Sequence, residues 1–234
     1  MRDALAGHSY VADYVQTLTH EVKSPLSAIR GAAELLQEPM PDADRARFAG
    51  NIAREASRIQ ELVDRMMELT ALESRRGLDT VAPVALGPLL RELAEAAQDA
   101  AAHRGITVVL DAPPEEDLPP VEGDAFLLQR AVANLIANAV EFSPDGAAVT
   151  VAVRRARRTV AVTVRDRGPG VPQYAEGKVF EKFYSLARPG TQKRSTGLGL
   201  AFVKEIAELH HGRVTLANAP DGGAVATLAL PRDD

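Results

Sequence analysis

In LTHEVKSPLSAIRGAAELL, residues 18–36, apolar side chains recur at Leu18, Val22, Leu26, Ile29, Ala33 and Leu36, steps of three and four that draw one stripe along an α-helix. Val15 carries the stripe upstream, so the spacing predicts a helix over 10–37. His20 lies two residues from both Leu18 and Val22, about 200° round a helix of ~3.6 residues per turn, and so points away from the stripe. Glu21 stands beside it. Pro25 has no N–H for the Glu21 carbonyl and its ring crowds that carbonyl, which predicts a bend one turn beyond His20. A plain coiled-coil spacer would show the same stripe, but it has no reason to carry a proline there.

Downstream, PMPDAD (residues 39–44) breaks the pattern with two prolines and supplies an Asp able to cap a second helix. A second stripe runs through Phe48, Ile52, Ala56, Ile59, Val63, Met66 and Thr70, widened by Leu62, Leu69 and Leu72. Two long helices joined by a short turn make an antiparallel hairpin. One shared face cannot bury both stripes, so pairing of two hairpins into a dimeric four-helix bundle is the expected resolution. Around residues 74–83 the stripe stops and Arg75, Arg76, Gly77 and Pro83 appear. This places a linker at 77–84 between a hairpin domain (1–76) and a second domain (85–234). Beyond it the periods alternate: helix over 86–103, strand over 105–110, helix over 124–142, strands over 147–154 and 159–165, helix over 198–211, strands over 213–217 and 224–230. The expected fold class is α+β, a helical hairpin followed by an α/β sandwich.

Composition narrows the function. A chain of 234 residues has length for two cores, and 46% hydrophobic with 25% charged residues is ordinary for a globular protein. The formal net charge of −5 gives no bulk attraction to nucleic acid, and 4% aromatic residues with no Trp leave little for base stacking. Absence of cysteine removes disulfides, thiolate nucleophiles and Cys-based zinc sites. No run approaches the ~18 apolar residues of a membrane span, so the sequence as given reads as soluble.

Four further segments carry chemistry. NLIANAVEFS (134–143) sets Asn134 and Asn138 on one face of a helix, where two amides either ligate a hard cation such as Mg2+ or hydrogen-bond a neighbouring loop. DRGPGV (166–171) follows a strand; Gly168 and Gly170 permit a tight turn, and Asp166 can accept a hydrogen bond from an exocyclic amine. STGLGLAFV (195–203) puts Gly197 and Gly199 at a helix start, where free N–H groups and the dipole favour phosphate. Between them VFEKFYSLARPGTQKR (179–194) anchors Phe180 and Phe183 and then turns polar, as a mobile lid would.

In this order, an outward His on a dimerising hairpin, paired Asn, Asp with two Gly, paired Phe and a second Gly pair, the chain resembles the sensor histidine kinases of two-component systems. The five segments match that family's five boxes across nearly the whole sequence, and the second domain is similar to the ATP-binding fold shared with gyrase, heat-shock chaperones and mismatch-repair ATPases. The resemblance implies an ATP-dependent protein histidine kinase with ATP and Mg2+ as cofactors. By it, His20 is the phospho-acceptor and Glu21 its acid/base partner, Asn138 holds Mg2+, and Asp166 reads the adenine amino group. Asn134, Phe142, Gly168, Gly170, Thr196, Gly197, Leu198 and Gly199 shape the nucleotide pocket, and Phe180 and Phe183 anchor the lid. Where related ATPases carry a water-activating Glu, this chain has Asn134, which cannot take a proton, so transfer to His20 should outrun hydrolysis.

Departures from the family pattern are also legible. Glu141 stands where many relatives place Lys, and Ser185 follows Tyr184 where Arg is frequent, leaving Lys178, Lys182, Arg188, Lys193 or Arg194 to supply cations near the phosphates. Lys182 and Arg194 join the expected ATP-binding set. Ser24 stands where members with strong phosphatase activity usually carry Thr or Asn; its hydroxyl can still orient a water. The implied partners are a second copy of the chain and the receiver domain of a response regulator, with no nucleic acid. Membrane contact is expected only through N-terminal segments missing from this sequence, making it the cytoplasmic portion of an inner-membrane sensor. The rival expectation is a degenerate ATP-gated binding module that docks a partner without phosphoryl transfer.

Overall fold

The computed structural model describes residues 2–114, 117–186 and 196–232; for residues 2–17 and 20 the description is of backbone alone. The chain divides into two compact units, Met1–Thr70 and Ala71–Asp234, a division that falls upstream of the linker read at 77–84.

The first unit is a hairpin of two long helices, α1 (Arg2–Leu35) and α2 (Asp42–Glu73), the last turn of α2 belonging to the second unit. Bonds from Gln37 N to Glu34 O and from Glu38 N to Leu35 O tighten the end of α1, while the Pro41 carbonyl receives the N–H groups of Asp44 and Arg45 as α2 begins. Asp42 and Asp44 set negative charge in that first turn, where the helix dipole favours it. The covered positions form one strict heptad line on each helix. On α1 it runs through Leu18, Val22, Pro25, Ile29, Ala32 and Leu36, and on α2 through Phe48, Ile52, Glu55, Ile59, Leu62, Met66 and Leu69. Pro25, where a bend is expected, lies inside the single helix α1 and fills a buried position of this line. The expected stripes mixed two adjacent lines. Leu26, Ala33, Ala56, Val63 and Thr70 belong to a second, exposed line, because a step of four at 22–26 or 59–63 advances about 40° past the shared face.

The second unit builds a five-stranded sheet in the order β2-β4-β5-β7-β6 from β2 (Thr107–Asp111), β4 (Ala148–Arg155), β5 (Thr159–Arg165), β6 (Arg213–Asn218) and β7 (Ala224–Pro231). β2 runs parallel to β4 and the remaining pairs are antiparallel, β4 and β5 being joined by a short turn as a hairpin. Helices α3 (Leu86–Ala101), α4 (Ala125–Phe142) and α5 (Gly199–Leu209) cover one face. Period-two alternation supplies the core from the strands: Val149, Val151 and Val153 on β4 and Val160 and Val162 on β5 are all fully buried. Leu90, Leu128, Leu198 and Ile206 meet them from the helices and neighbouring turns, each such side chain contributing about 1.5–3 kcal/mol on burial. A separate ribbon pairs β1 (Ala82–Val84) with β3 (Val121–Gly123); three residues each, one containing Pro83, are too short to announce themselves by period.

Two caps hold α4 and α5 in place. Asp124 Oδ1 accepts from the N–H groups of Phe126 (3.0 Å) and Leu127 (3.1 Å) at the start of α4. At the end of α5, His211 N bonds Glu208 O and Gly212 N bonds Ala207 O, a Schellman closure with His211 at φ 55°. The preceding His210, 2% exposed, donates from Nδ1 to Ile206 O (2.7 Å) and accepts at Nε2 from Asp124 N (3.0 Å), joining the end of α5 to the start of α4.

Candidate nucleotide site

A cleft opens between α4, the loop after β5 and the N-terminus of α5, with about 820 Å³ of empty space counted out to solvent. Its walls are apolar: Leu135 and Ala139 from α4, Val164 from β5, Leu216 and Ala226 from the neighbouring strands, and Leu186 beyond the paired phenylalanines.

Polar groups converge on this cleft from three directions. From the end of β5, Asp166 is 8% exposed, and its Oδ1 accepts from Gly168 N (2.8 Å) and Ala224 N (3.0 Å). Two backbone donors on one oxygen fix the carboxyl, and its Oδ2 has no protein donor among the described residues. From α4, Asn138 lines the cleft, while Asn134 donates from Nδ2 to Arg130 O (3.0 Å) on its own helix. Opposite them begins α5. A Cβ built on Gly199 would sit 3.4 Å from Asn134 Oδ1 and 3.7 Å from Asn138 Nδ2, so the free N–H end of this helix faces both amides.

The far edge is clasped by strained backbone. Phe183 adopts φ 62° and donates its N–H to Gly197 O (2.9 Å), while Gly197 itself has φ 65°. A Cβ at Gly197 would lie 2.7 Å from Phe183 Cα, so only glycine fits there. Left-handed geometry in a bulky residue is uncommon and clusters at functional sites. Phe183 is buried, and Phe180 packs against Val171, Ala175, Val179 and Ala224.

Of the residues expected from sequence, Asn138, Phe142, Asp166, Gly170, Gly197 and Gly199 line the cleft together. Asn134, Gly168, Phe180, Phe183 and Thr196 adjoin these lining residues in the chain or in space, and Leu198 is buried next to Gly197. Lys182 is absent from the lining; its Nζ sits 2.6 Å from Glu73 Oε1. Nearby Glu205 titrates above the usual carboxylate range, first because it is partly buried and then because Glu73 and Glu208 repel its charge. Arg188, Lys193 and Arg194 lie outside the described residues. Sequence reasoning missed the apolar walls, whose strand residues look like any others, and missed Asn218, which reads as a turn residue before Pro220 and Asp221.

On the hairpin, His20 belongs to α1 and its side chain lies outside the description. Glu21 is half-buried and pairs across to Arg58 on α2 at 3.8 Å. Ser24 is exposed. Among the described residues no three carboxylate or imidazole side chains gather as a metal cage, so a cation in the cleft would take its oxygens from Asn138, water and a bound ligand's phosphates. Among those residues no helix is long and apolar enough to cross a membrane.

Comparison with known proteins agrees on both units. Residues 11–75 match the His Kinase A (phospho-acceptor) domain, and residues 123–234 match the histidine kinase-, DNA gyrase B- and HSP90-like ATPase family. Sensor protein CreC of Escherichia coli K12 is 42% identical over 232 residues, covering 99% of this chain and 48% of CreC. The chain thus spans about half the length of the curated relatives it matches. Full-length ShkA crystallised with AMPPNP is similar at TM-score 0.69 and 25% identity, over 94% of this chain and 45% of that one. Histidine kinase ThkA in complex with response regulator protein TrrA shares the fold at TM-score 0.78 and 21% identity, over 99% of this chain and 65% of that one.

Proposed function

The chain belongs to the sensor histidine kinases of two-component systems, and on that premise we propose that it binds Mg-ATP in the cleft, phosphorylates its own His20 and passes the phosphoryl group to an Asp of a response regulator. The observation that carries this reading is the anchored carboxyl of Asp166 at the mouth of an apolar slot. With Oδ1 tied to two backbone donors, Oδ2 is left to accept the exocyclic amine of adenine while the ring lies between apolar walls. ShkA, similar over 94% of this chain and crystallised with AMPPNP, supports a nucleotide as the ligand.

In this mechanism Asn138 and the free N–H groups opening α5 receive the triphosphate end. Mg2+ bound with the nucleotide supplies charge neutralisation on the phosphate oxygens. The neutral imidazole of His20 attacks the γ-phosphorus; a P–N bond forms, the bond to the β-phosphate oxygen breaks, ADP leaves, and the ring proton passes to Glu21 or water. Arg58, 3.8 Å from Glu21 across the hairpin, orients that carboxylate. With Asn134 one turn before Asn138, the position itself offers no base to activate water, which favours transfer over hydrolysis. The P–N bond then yields to a carboxylate of the receiver domain, a partner class supported by the ThkA–TrrA complex.

The exposed line of Leu26, Val63 and Met67 supports assembly of two copies through the hairpins. The placement in the cell we propose is cytoplasmic, as the kinase portion of a sensor. The exposed hydroxyl of Ser24, one turn beyond His20, favours a second activity, orienting water against the phosphorylated receiver.

Labelled ATP with Mg2+ tests the kinase reading. The protein should acquire an acid-labile, alkali-stable label that His20→Gln reduces to background while ATP affinity stays within about twofold of wild type. A wild-type chain that binds ATP and takes up no label would instead be an ATP-gated binding module.

A further inference from the structure

We infer that Asn218, at the end of β6, is a positioning residue that sets the width of the adenine slot and thereby its nucleobase selectivity. The inference rests on the nucleotide reading of the cleft. Asn218 Oδ1 accepts from Val171 N (2.6 Å) and Asn218 Nδ2 donates to Val171 O (2.8 Å), so one side-chain amide satisfies both backbone groups of a single residue. Val171 is 8% exposed and forms part of the cleft wall. Beside it Gly170 turns at φ 77°, and a Cβ there would lie 2.6 Å from Asn218 Oδ1, so the loop can press against the amide only as glycine.

The same β6–β7 turn grips the loop at two further points. Ala224 N donates to Asp166 Oδ1 and Asp166 N donates to Ala224 O, both at 3.0 Å. Asp221 pairs with Arg167 at 2.9 Å and also with Arg165, and those guanidinium groups hold its carboxyl below the usual carboxylate range. The turn is closed on itself by Ala219 N to Gly223 O and Gly222 N to Ala219 O. The acceptor for the base, Asp166, and the apolar wall, Val171, are therefore both referenced to one rigid turn, at opposite ends of the loop. Asp221 is exposed and its pairs are screened, whereas the Asn218 clamp meets backbone groups that line the cleft and would otherwise stay unpaired against an apolar base.

An amide is required for this task. Alanine leaves both Val171 groups unpaired, and the isosteric aspartate keeps the acceptor but turns a carboxylate oxygen toward Val171 O. We therefore expect Asn218→Ala and Asn218→Asp each to weaken binding of ATP and of adenosine by about tenfold and to erode the preference for ATP over GTP. Affinity for inorganic triphosphate with Mg2+ and the rate of self-phosphorylation at saturating ATP should stay within about twofold, because the phosphate end is held by α4 and α5. Adenosine binding unchanged in the aspartate variant overturns the inference, as does an equal loss for adenosine and triphosphate, which would mark general loosening. If the wild-type chain itself binds neither adenosine nor ATP, the nucleotide reading fails first and this inference with it.

Discussion

Within residues 1–70 the buried described side chains are Pro25, Ala32, Leu62 and Leu69, one narrow line per helix, whereas the α/β unit buries three strands' worth of alternating Val, Ala and Leu under three helices. The two units also differ in the apolar surface they leave outside. Leu26 is 55% exposed and Met67 65%, apolar side chains left outside the seam of each helix, while the α/β unit shows isolated exposed apolar side chains such as Phe126 and Tyr174. A two-helix hairpin with one seam buries too little to offset the entropy of ordering it, so its stability has to come from a surface outside itself. The α/β unit closes its own core. One region is built to be completed and the other to enclose a ligand, and the difference divides how each should respond to mutation.

The largest expected effect lies on the exposed line of the hairpin. Met67→Asp places a carboxylate in the apolar face of the proposed dimer, and the dimer dissociation constant should rise on the order of a thousandfold by sedimentation equilibrium. Melting of the hairpin should then lose its dependence on protein concentration, while residues 71–234 expressed alone melt as the wild-type unit does. A Met67→Asp chain that stays dimeric would place the interface elsewhere and break the contrast between the two units.

The same contrast explains how much was legible in the sequence. Strands β4 and β5 could be read because Val149, Val151, Val153, Val160 and Val162 alternate with polar or small residues, and a period of two admits no neighbouring line. The helices admit one. With apolar residues at both Leu62 and Val63, and with charged Glu55 sitting on the covered line, hydrophobicity alone could not tell the seam from the face beside it. In the cleft, Asn138, Asp166 and the glycines stood out because amides in an apolar helix and paired glycines need a reason. Leu186, Leu216 and Ala226 did not, since their role follows from the pairing of β5, β7 and β6 across long sequence separations. Asn218 was hidden for a related reason: its partner Val171 lies far away in the chain, and locally it reads as turn chemistry.

Acid should act on the α/β unit through His210, which is buried there. Burial pushes the His210 imidazole below its ordinary value of 6.5; contact with Ile206 O and the nearby Asp124 charge oppose that, and His211 adds to it. The depressed folded value fixes the sign. Above pH 6.5 both states are neutral and stability is full; as pH falls below 6.5 the unfolded chain takes up a proton that the folded ring refuses, so stability declines toward the folded value. His210→Leu orphans the Asp124 N–H and should cost about 1–3 kcal/mol at pH 8. Thermal melts of both proteins should converge as pH drops from 7.5 toward about 5.5, since only the wild type loses stability through this group. Glu205, whose raised value works in the opposite direction near and above 4.5, is common to both and cancels in the comparison. A gap that stays constant with pH would show that the imidazole carries no linkage.

The smallest effect has the opposite sign. His211 holds the position that ends α5 at φ 55°, where a Cβ meets the following carbonyl and an L-residue is strained by about 1–2 kcal/mol. The Schellman bonds it closes are made by backbone alone, His211 N to Glu208 O and Gly212 N to Ala207 O, and the side chain is exposed. Glycine keeps those bonds and relieves the strain, less the extra entropy it gives the unfolded chain. His211→Gly should therefore raise the stability of the α/β unit by about 0.5–1 kcal/mol in denaturant titrations, with the denaturant slope unchanged. The gain should be the same in residues 71–234 alone as in the whole chain, because no part of the cap is drawn from the hairpin. A loss of stability would mean that the exposed imidazole contributes an interaction outweighing the backbone strain.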